Sequence, residues 1–587
     1  MGQRDHEAQK FLNKTMRNTC RRFWRLIRAL APTVLVTAGA NSPSLSAAMP
    51  ADQVFVNGRV LTMNPNNAVT EAIAIEGERI VAVGTSAEIM SRVGVRTIVH
   101  DLMGKTLMPG FIDAHGHFPQ SEQPGVYLNS PPLGRISNID GLVQALKGVS
   151  SQHRHGSLIY GWGYDDTLLA ERRQPTRQDL DKVSRENPVF IMHISGHLGV
   201  ANTAALALAG IDETTPNPRG GIIDKDPVSG RLTGLLQENA MLPLVEIATK
   251  VSDGEYSKMA IRAARRYAEV GVTSAQAGWV DEVEFNRLAQ ASGTGQVPLR
   301  LVVWPFYNTL GPKLLSGELN PTRYDTDRFH VGAIKFVADG SIQGYTGYLS
   351  KPYYTPYHGD PKYRGFPALP REELAQRVSE YHCAGFQIAI HANGDAAIDD
   401  AIFAFSKAQE RCHRDDPRMI LVHAQMARDD QLDLMKSLGM TPSFFSAHTY
   451  YWGDRHWDIF MGPQRAARMS PTRSALDRGL RFTVHLDTPV TPMNPLLLVW
   501  STVNRNSTSG RVIGAEQRIP VMQALRAVTI DAAWQSFLEH DLGSLEAGKY
   551  ADLVVLDGDV LIPDAIRRVQ VDSTWIGGIN IYQRARR

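Results

Sequence analysis

Between Thr106 and Asp487 the chain alternates short apolar runs with amphipathic stretches, and this alternation restricts the fold more than any other feature. Eight runs read as strands: residues 106–113, 273–277, 299–305, 333–337, 387–391, 419–423, 441–445 and 481–487. Stretches of helical periodicity, at 256–270, 371–384, 396–411, 429–438 and 521–527, fall between or after them. Apolar strands separated by helices form a parallel sheet, and a long series of such units closes into a TIM-like (β/α)8 barrel. The spacing leaves room for one large insertion, about residues 119–255.

Strands also cluster at the two ends. Residues 53–63, 71–76, 79–83 and 97–101 read as a small antiparallel sheet, with Asn57-Gly58 and Glu76-Gly77 supplying turns. A sheet that small needs a partner, and residues 548–556, 569–576 and 578–582 provide one. The expected α/β architecture is therefore a barrel domain over 106–539, interrupted at 119–255. A β-sandwich built from 49–105 and 540–587 would accompany it.

The first 48 residues differ from the rest. Arg17, Arg21, Arg22, Arg25 and Arg28 precede an apolar run at 29–40 and the small residues Ser44-Leu45-Ser46-Ala47-Ala48, the order of a secretory signal peptide. The run is too short for a stable membrane anchor. A periplasmic or secreted protein is expected; the alternative is a basic tail on a cytoplasmic one. The chain has 62 basic and 60 acidic residues, so no electrostatic case exists for nucleic acid. Its three cysteines form no Cys-x-x-Cys pair, which excludes a zinc ribbon. Cys383 and Cys412 both fall in helix-like stretches and are expected as free thiols.

Several strand runs end in metal-ligand residue types. The run at 106–111 leads into Ile112-Asp113-Ala114-His115-Gly116-His117; in extended chain, residues two apart point the same way, so His115 and His117 can hold one ion. Later runs deliver His391, His423 and His485-Leu486-Asp487. Lys335 sits inside the apolar run 331–337, where an unpaired ammonium would be costly. A lone strand-end histidine is usually a core residue, but their joint placement at one rim of a barrel is the placement of an active site.

Residues 107–117 (LMPGFIDAHGH), 391–395 (HANGD) and 542–555 (LGSLEAGKYADLVV) resemble the amidohydrolase superfamily. Residues 161–180, 196–206 and 335–344 resemble its branch of N-substituted formamide deformylase and related hydrolases, amidohydrolase family 3. The resemblance implies two divalent metal ions, with zinc favoured by the imidazole-rich set. His115, His117, Lys335, His391, His423 and Asp487 would be ligands, Lys335 as a bridging carbamate. The ions would lower the pKa of water from 15.7 to about 7. The resulting hydroxide would attack a carbonyl, with Asp487 as the catalytic group that moves a proton to the departing nitrogen. Where many relatives carry Gly-Ser before this aspartate, His485-Leu486 stands here, and His485 is not taken as a ligand.

The reading is of a metal-dependent enzyme that cleaves a non-peptide C–N bond, an amide or N-substituted formamide, in a small-molecule substrate; a homodimer is admitted. Trp162, Tyr164, His197, Asp339 and His448 are candidates for substrate contact. Two rivals remain: a lyase or isomerase on the same scaffold, which would place no solvent oxygen in its product, and a metal-free binding or scaffold protein. N-terminal sequencing of protein from its native host should find a mature terminus near Ala48. An intact Met1 or Met16 on a cytoplasmic species would contradict export.

Overall fold

The structure is a computed structural model that describes residues 50–585, so the expected signal segment, residues 1–48, lies outside the described residues. Strands from the two ends of the chain build two sheets. Gln53–Val56, Ala72–Glu76, Arg79–Gly84 and Ile98–Asp101 form a four-stranded sheet. Arg59–Leu61, Val69–Thr70, Thr106–Pro109, Leu553–Leu556, Val571–Ile576 and Ile579–Gln583 form a six-stranded one. The run at 53–63 divides between them at the Asn57-Gly58 turn. Asn57 turns with φ +56°, and Gly58 lies where a Cβ would overlap Leu102. Both sheets are mixed rather than antiparallel, because Gln53–Val56 pairs parallel with Ile98–Asp101 and Arg59–Leu61 parallel with Thr106–Pro109. Phe55, Ile73, Leu107, Leu553 and Trp575 share one apolar cluster, so residues from both ends of the chain bury each other.

The run at 106–113 also divides. Thr106–Pro109 pairs with Leu553–Leu556, and only β1 (Phe111–Ile112) joins the parallel region. The break is Gly110, where any Cβ would overlap Thr273.

The parallel region has two sheets. In the first, β1, β2 (Val272–Val280), β3 (Arg300–Pro305) and β4 (Phe329–Val331) lie side by side. In the second, β5 (Ile334–Val337), β6 (Ile388–Ala392), β7 (Met419–His423), β8 (Met440–Phe444) and β9 (Thr483–Val484) do the same. The sheets meet at a parallel bridge between Phe306 and Lys335. Beyond the other edge, the Asp487 N–H donates to the His115 carbonyl at 3.2 Å and the His117 N–H to that of Thr488 at 2.8 Å. The expected strand 481–487 is regular only over Thr483–Val484. Helices such as Asp253–Glu269, Arg371–Cys383, Asp395–Arg411 and Asp429–Leu438 follow the strands. The side chains sort by strand alternation. Val302, Trp304, Ala333, Ala389, Ile420 and Val422 form one cluster, while Leu301, Val303, Ile334, Ile390 and Leu421 join the larger core.

The insertion carries its own six-stranded mixed sheet, from Val126–Tyr127 to Leu232–Glu238, over a separate apolar cluster. Cys383 and Cys412 are joined in a disulfide, with Cα atoms 5.3 Å apart, which corrects the expectation of free thiols. Cys383 ends one helix and Cys412 caps the next helix along the chain. Successive helices of a parallel α/β unit run the same way, so their C-terminal ends lie side by side.

One buried ion pair ties the parallel region to the terminal strands. Arg300, on β3, donates to both oxygens of Asp552 at 2.7 and 2.9 Å, with side chains only 3% and 6% exposed. Asp552 also accepts the Gly577 N–H, and the Arg300 guanidinium stacks 4.1 Å from the Tyr550 ring. Asp552→Ala would leave Arg300 buried without its partner. A loss of about 3–5 kcal/mol of unfolding free energy is expected. A double variant that combines Arg300→Met with Asp552→Leu should recover most of it. Urea unfolding checks this, and a loss under about 1 kcal/mol for the single variant would show that the pair does not hold the two parts together.

Candidate metal centre

The C-terminal ends of the parallel strands bring a set of buried imidazoles together. His115 Nε2 lies 3.2 Å from Lys335 Nζ and 3.4 Å from Asp487 Oδ1. His117 Nε2 lies 3.3 Å from the same aspartate oxygen. His423 Nε2 is 4.0 Å from Asp487 Oδ2, and the His391 and His423 rings are 4.4 Å apart. All six residues expected as ligands therefore fall in one continuous cluster, and the structure separates none of them.

Two of these side chains arrive by ordinary strand alternation. Ala333 faces the inner cluster, so Lys335 follows two residues on; Ala389 does, so His391 follows. His423 does not fit that pattern. Met419 and Leu421 point to the outer core, and alternation would send His423 after them. Its left-handed backbone, φ +71°, turns the ring inward instead, and Asp487 is set by a similar φ of +54°. Such conformations cost a non-glycine residue about 1–3 kcal/mol and persist where surrounding structure over-determines them.

Neighbours fix the rings. Gln276 Oε1 sits 3.1 Å from His115 Nδ1, and Trp304 stacks on the same ring at 5.2 Å. The His423 Nδ1 is 3.0 Å from His485 Nε2, and His485 Nδ1 is 2.9 Å from Ser443 Oγ. His485 thus orients His423 from within the cluster. Gln276 does not stand out in the sequence, because it acts across a strand pair that only the fold creates; His485, not taken as a ligand from the sequence, supports one instead. Asp339 accepts N–H groups from Asn393, Gly394 and Tyr348 and lies 3.3 Å from His391 Nδ1. Its oxygens hold the loop beneath His391.

The other substrate candidates separate into two groups. Trp162 packs in the insertion's own core, and Tyr164 donates to Gln174 within the insertion. His448 stacks 4.0 Å from Phe445, itself beside His423, and the His197 ring stands 5.2 Å from that of His391. Only His197 and His448 reach the imidazole cluster.

The electrostatics follow from burial. Loss of solvent pulls His115, His391 and His423 well below the ordinary imidazole range, assisted by neighbouring positive groups. Burial lowers Lys335 to about 7. For Asp487 burial acts upward, but His117, 3.3 Å away, and the surrounding imidazoles outweigh it and hold the carboxyl well below its usual range. Burial alone would lower His197; the Glu238 carboxylate beside it reverses this and raises it.

This donor set fits a divalent ion. His115, His117 and Asp487 offer ligand atoms all within 4.8 Å of one another. Asp487 Oδ1 and His391 Nδ1 are buried and lack hydrogen-bond partners among the described residues. Buried polar atoms left open in this way are costly unless something completes them. Imidazole and carboxylate donors suit zinc, manganese, iron or cobalt. Among the described residues one other group passes the same distance test, Asp165, Asp166 and His193, in the insertion.

Comparison with known proteins agrees with the site. The sequence profile of the Amidohydrolase family matches residues 99–582. The N-substituted formamide deformylase of Arthrobacter pascens is 29% identical over 91% of this chain and 98% of its own length. The protein LONG AFTER FAR-RED 3 of Arabidopsis thaliana is 27% identical over 95% of this chain and 94% of its own. A crystal structure of an uncharacterized metal-dependent hydrolase from Pyrococcus horikoshii OT3 superposes with a TM-score of 0.68, at 26% identity, over 87% of this chain and 98% of that one.

Gly278 provides a test of the packing behind His115. A Cβ there would lie 2.6 Å from His115 Nδ1 and would also overlap the Cε1 edge of the ring. Gly278→Ala should fold, bind less metal and lose about tenfold or more of its activity, since displacing a ligand by about 1 Å is enough for such losses. Elemental analysis beside circular dichroism checks it, and full metal content in the variant would contradict this account of the ring's support.

Proposed function

We propose, from the premise that the chain belongs to the amidohydrolase family, that it hydrolyses a non-peptide C–N bond, an amide or N-substituted formamide on an amine bearing an apolar group. At the coarser level it is a metal-dependent hydrolase with a TIM-like α/β fold. The observation that carries the finer reading is the convergence of His115, His117 and Asp487 on one point, with Lys335 beside them and His391 and His423 alongside. The similarity to an N-substituted formamide deformylase supports the substrate class.

In this reading the two parallel sheets are the walls of one (β/α)8 barrel that closes at the Phe306–Lys335 and His115–Asp487 contacts. The terminal strands make a sandwich beside it. His115, His117 and Asp487 would hold one divalent ion, favoured as zinc, and His391 and His423 a second. The lysine amine would attack carbon dioxide, lose a proton and become a carbamate whose two oxygens bridge the sites. Burial favours this, since it weakens the ammonium form that cannot react. When bound, the ions would supply Lewis acidity and a water of pKa near 7.

The rest falls to the protein's own groups. Asp487, ionised and held by its imidazole neighbours, accepts a proton from water as the carbonyl carbon is attacked. It then returns that proton to the departing nitrogen, which makes an amine an adequate leaving group. No serine or cysteine nucleophile is needed, and the two described cysteines are tied in a disulfide. That disulfide also supports a periplasmic or secreted location, because such links persist in oxidising compartments.

Asp487→Asn keeps the shape but cannot carry the proton. Turnover of amides should fall by about 10²–10⁴-fold. Activated esters, whose leaving groups need no proton, should lose much less. Steady-state rates on a matched amide and ester pair check this, and equal losses on both would contradict the proton-transfer role. Efficient ester or phosphoester cleavage with no turnover of any amide, formamide, carbamate or cyclic amide would overturn the C–N assignment.

A further inference from the structure

The metal-centre reading leaves one set of buried polar side chains unused, and nearly all of it comes from the insertion. His197 leads into the strand Leu198–Ala201, which pairs antiparallel with Leu232–Glu238, and Leu198 faces Gln237. That register sets His197 beside Glu238. The Glu238 N–H donates to the His197 carbonyl at 2.9 Å, and His197 Nδ1 lies 2.9 Å from Glu238 Oε2. Glu238 adopts a left-handed φ of +50° to present its carboxylate. Space for it is reserved from across the site. Gly340, in the loop that follows β5, lies where a Cβ would overlap Glu238 Oε1. The strand that carries Lys335 and the insertion are thus shaped around this pair.

The turn before His197 is fixed from its other side. Ser195 Oγ accepts the His197 N–H at 3.2 Å and lies 2.8 Å from His193 Nδ1. His193 Nε2 in turn lies 3.3 Å from Asp166 Oδ1, and the His193 side chain is wholly buried. Gly196 makes the bend with φ +76°. So one imidazole, 5.2 Å from the His391 ring, is held directly by the Glu238 carboxylate, while Ser195 fixes the backbone that carries it. Its Nε2 makes no hydrogen bond to the described residues. Nor does His197 belong to either group of ligand atoms close enough to share an ion. Glu238 Oε1 is also buried and unpartnered among the described residues, so the pair faces something the protein itself does not supply.

We infer that His197 is the insertion's contact with the reacting amide, its Nε2 accepting the substrate's N–H, and that Glu238 is the residue that positions it. This rests on the reading of the site as an amide hydrolase and narrows it to N-monosubstituted amides. The chemistry follows from the tautomer. In the neutral form that the ring takes at alkaline pH, with Nδ1–H donated to a carboxylate, only a lone pair is left at Nε2, and the group complementary to it is a donor. An N-monosubstituted amide carries one donor on the bond to be broken, whereas an N,N-disubstituted amide or an ester carries none. An acceptor oriented for a donor is left unpaired by an analogue without it, and a polar site discriminates on that basis.

The test uses ligands that cannot be hydrolysed, so that binding is separated from turnover. N-benzylmethanesulfonamide and its N-methyl analogue are titrated calorimetrically into metal-loaded protein at about pH 9, above the ordinary imidazole range. Wild type should bind the N–H compound at least about tenfold more tightly. His197→Ala should erase that preference with metal content unchanged. Glu238→Gln should keep most of it, because an amide oxygen still accepts from Nδ1–H, and Glu238→Ala should lose it; a merely structural carboxylate would not show this rescue. Equal affinity of wild type for both compounds, no binding of either, or a His197→Ala variant that weakens both alike would overturn the inference. Amide turnover without this preference would overturn it alone. Absence of any C–N cleavage would instead overturn the hydrolase reading.

Discussion

A lysine amine buried among imidazoles is the constraint on which the rest of this structure turns. Lys335 has His115 Nε2 3.2 Å away and the Trp304 ring at 5.7 Å, with no carboxylate in salt-bridge contact among the described residues. A protonated lysine there would be desolvated beside groups that could only be made more positive, a costly arrangement in a stable core. The arrangement becomes reasonable if the amine is converted to an anion and the imidazoles face cations. The same logic accounts for the strained φ values at His423 and Asp487, which bring two further donors to a point that regular strands would not reach.

The parallel strands position this cluster, and the terminal sheets brace them. Arg300 lies on β3, the strand that also carries Trp304 behind His115, and its ion pair with Asp552 reaches into the strands contributed by the far end of the chain. The insertion acts from above. Its sheet brings His197 and Glu238 beside His391 through a cross-strand register.

Much of this was legible before the fold was known, for definite physical reasons. His115-Gly116-His117 follows an apolar strand, and Lys335 interrupts another, so local periodicity alone marks them. The helices at 395–411 and 429–438 carry clear amphipathic patterns and lie within a residue of where the sequence puts them. What escaped is non-local. Gly110 ends a strand because of its contact with Thr273, far along the chain. Cys383 and Cys412 pair because parallel helices align their ends. Gln276, and the part that His485 plays, show only through the ring each orients.

The most direct measurement is anomalous diffraction from crystals grown with zinc, recorded on both sides of the zinc absorption edge. The account predicts two ions per chain. One should lie against His115, His117 and Asp487 and the other against His391 and His423, with the electron density of Lys335 extending into a carboxylate between them. A single ion beside a free Lys335 amine, or zinc held only at Asp165, Asp166 and His193, would contradict it.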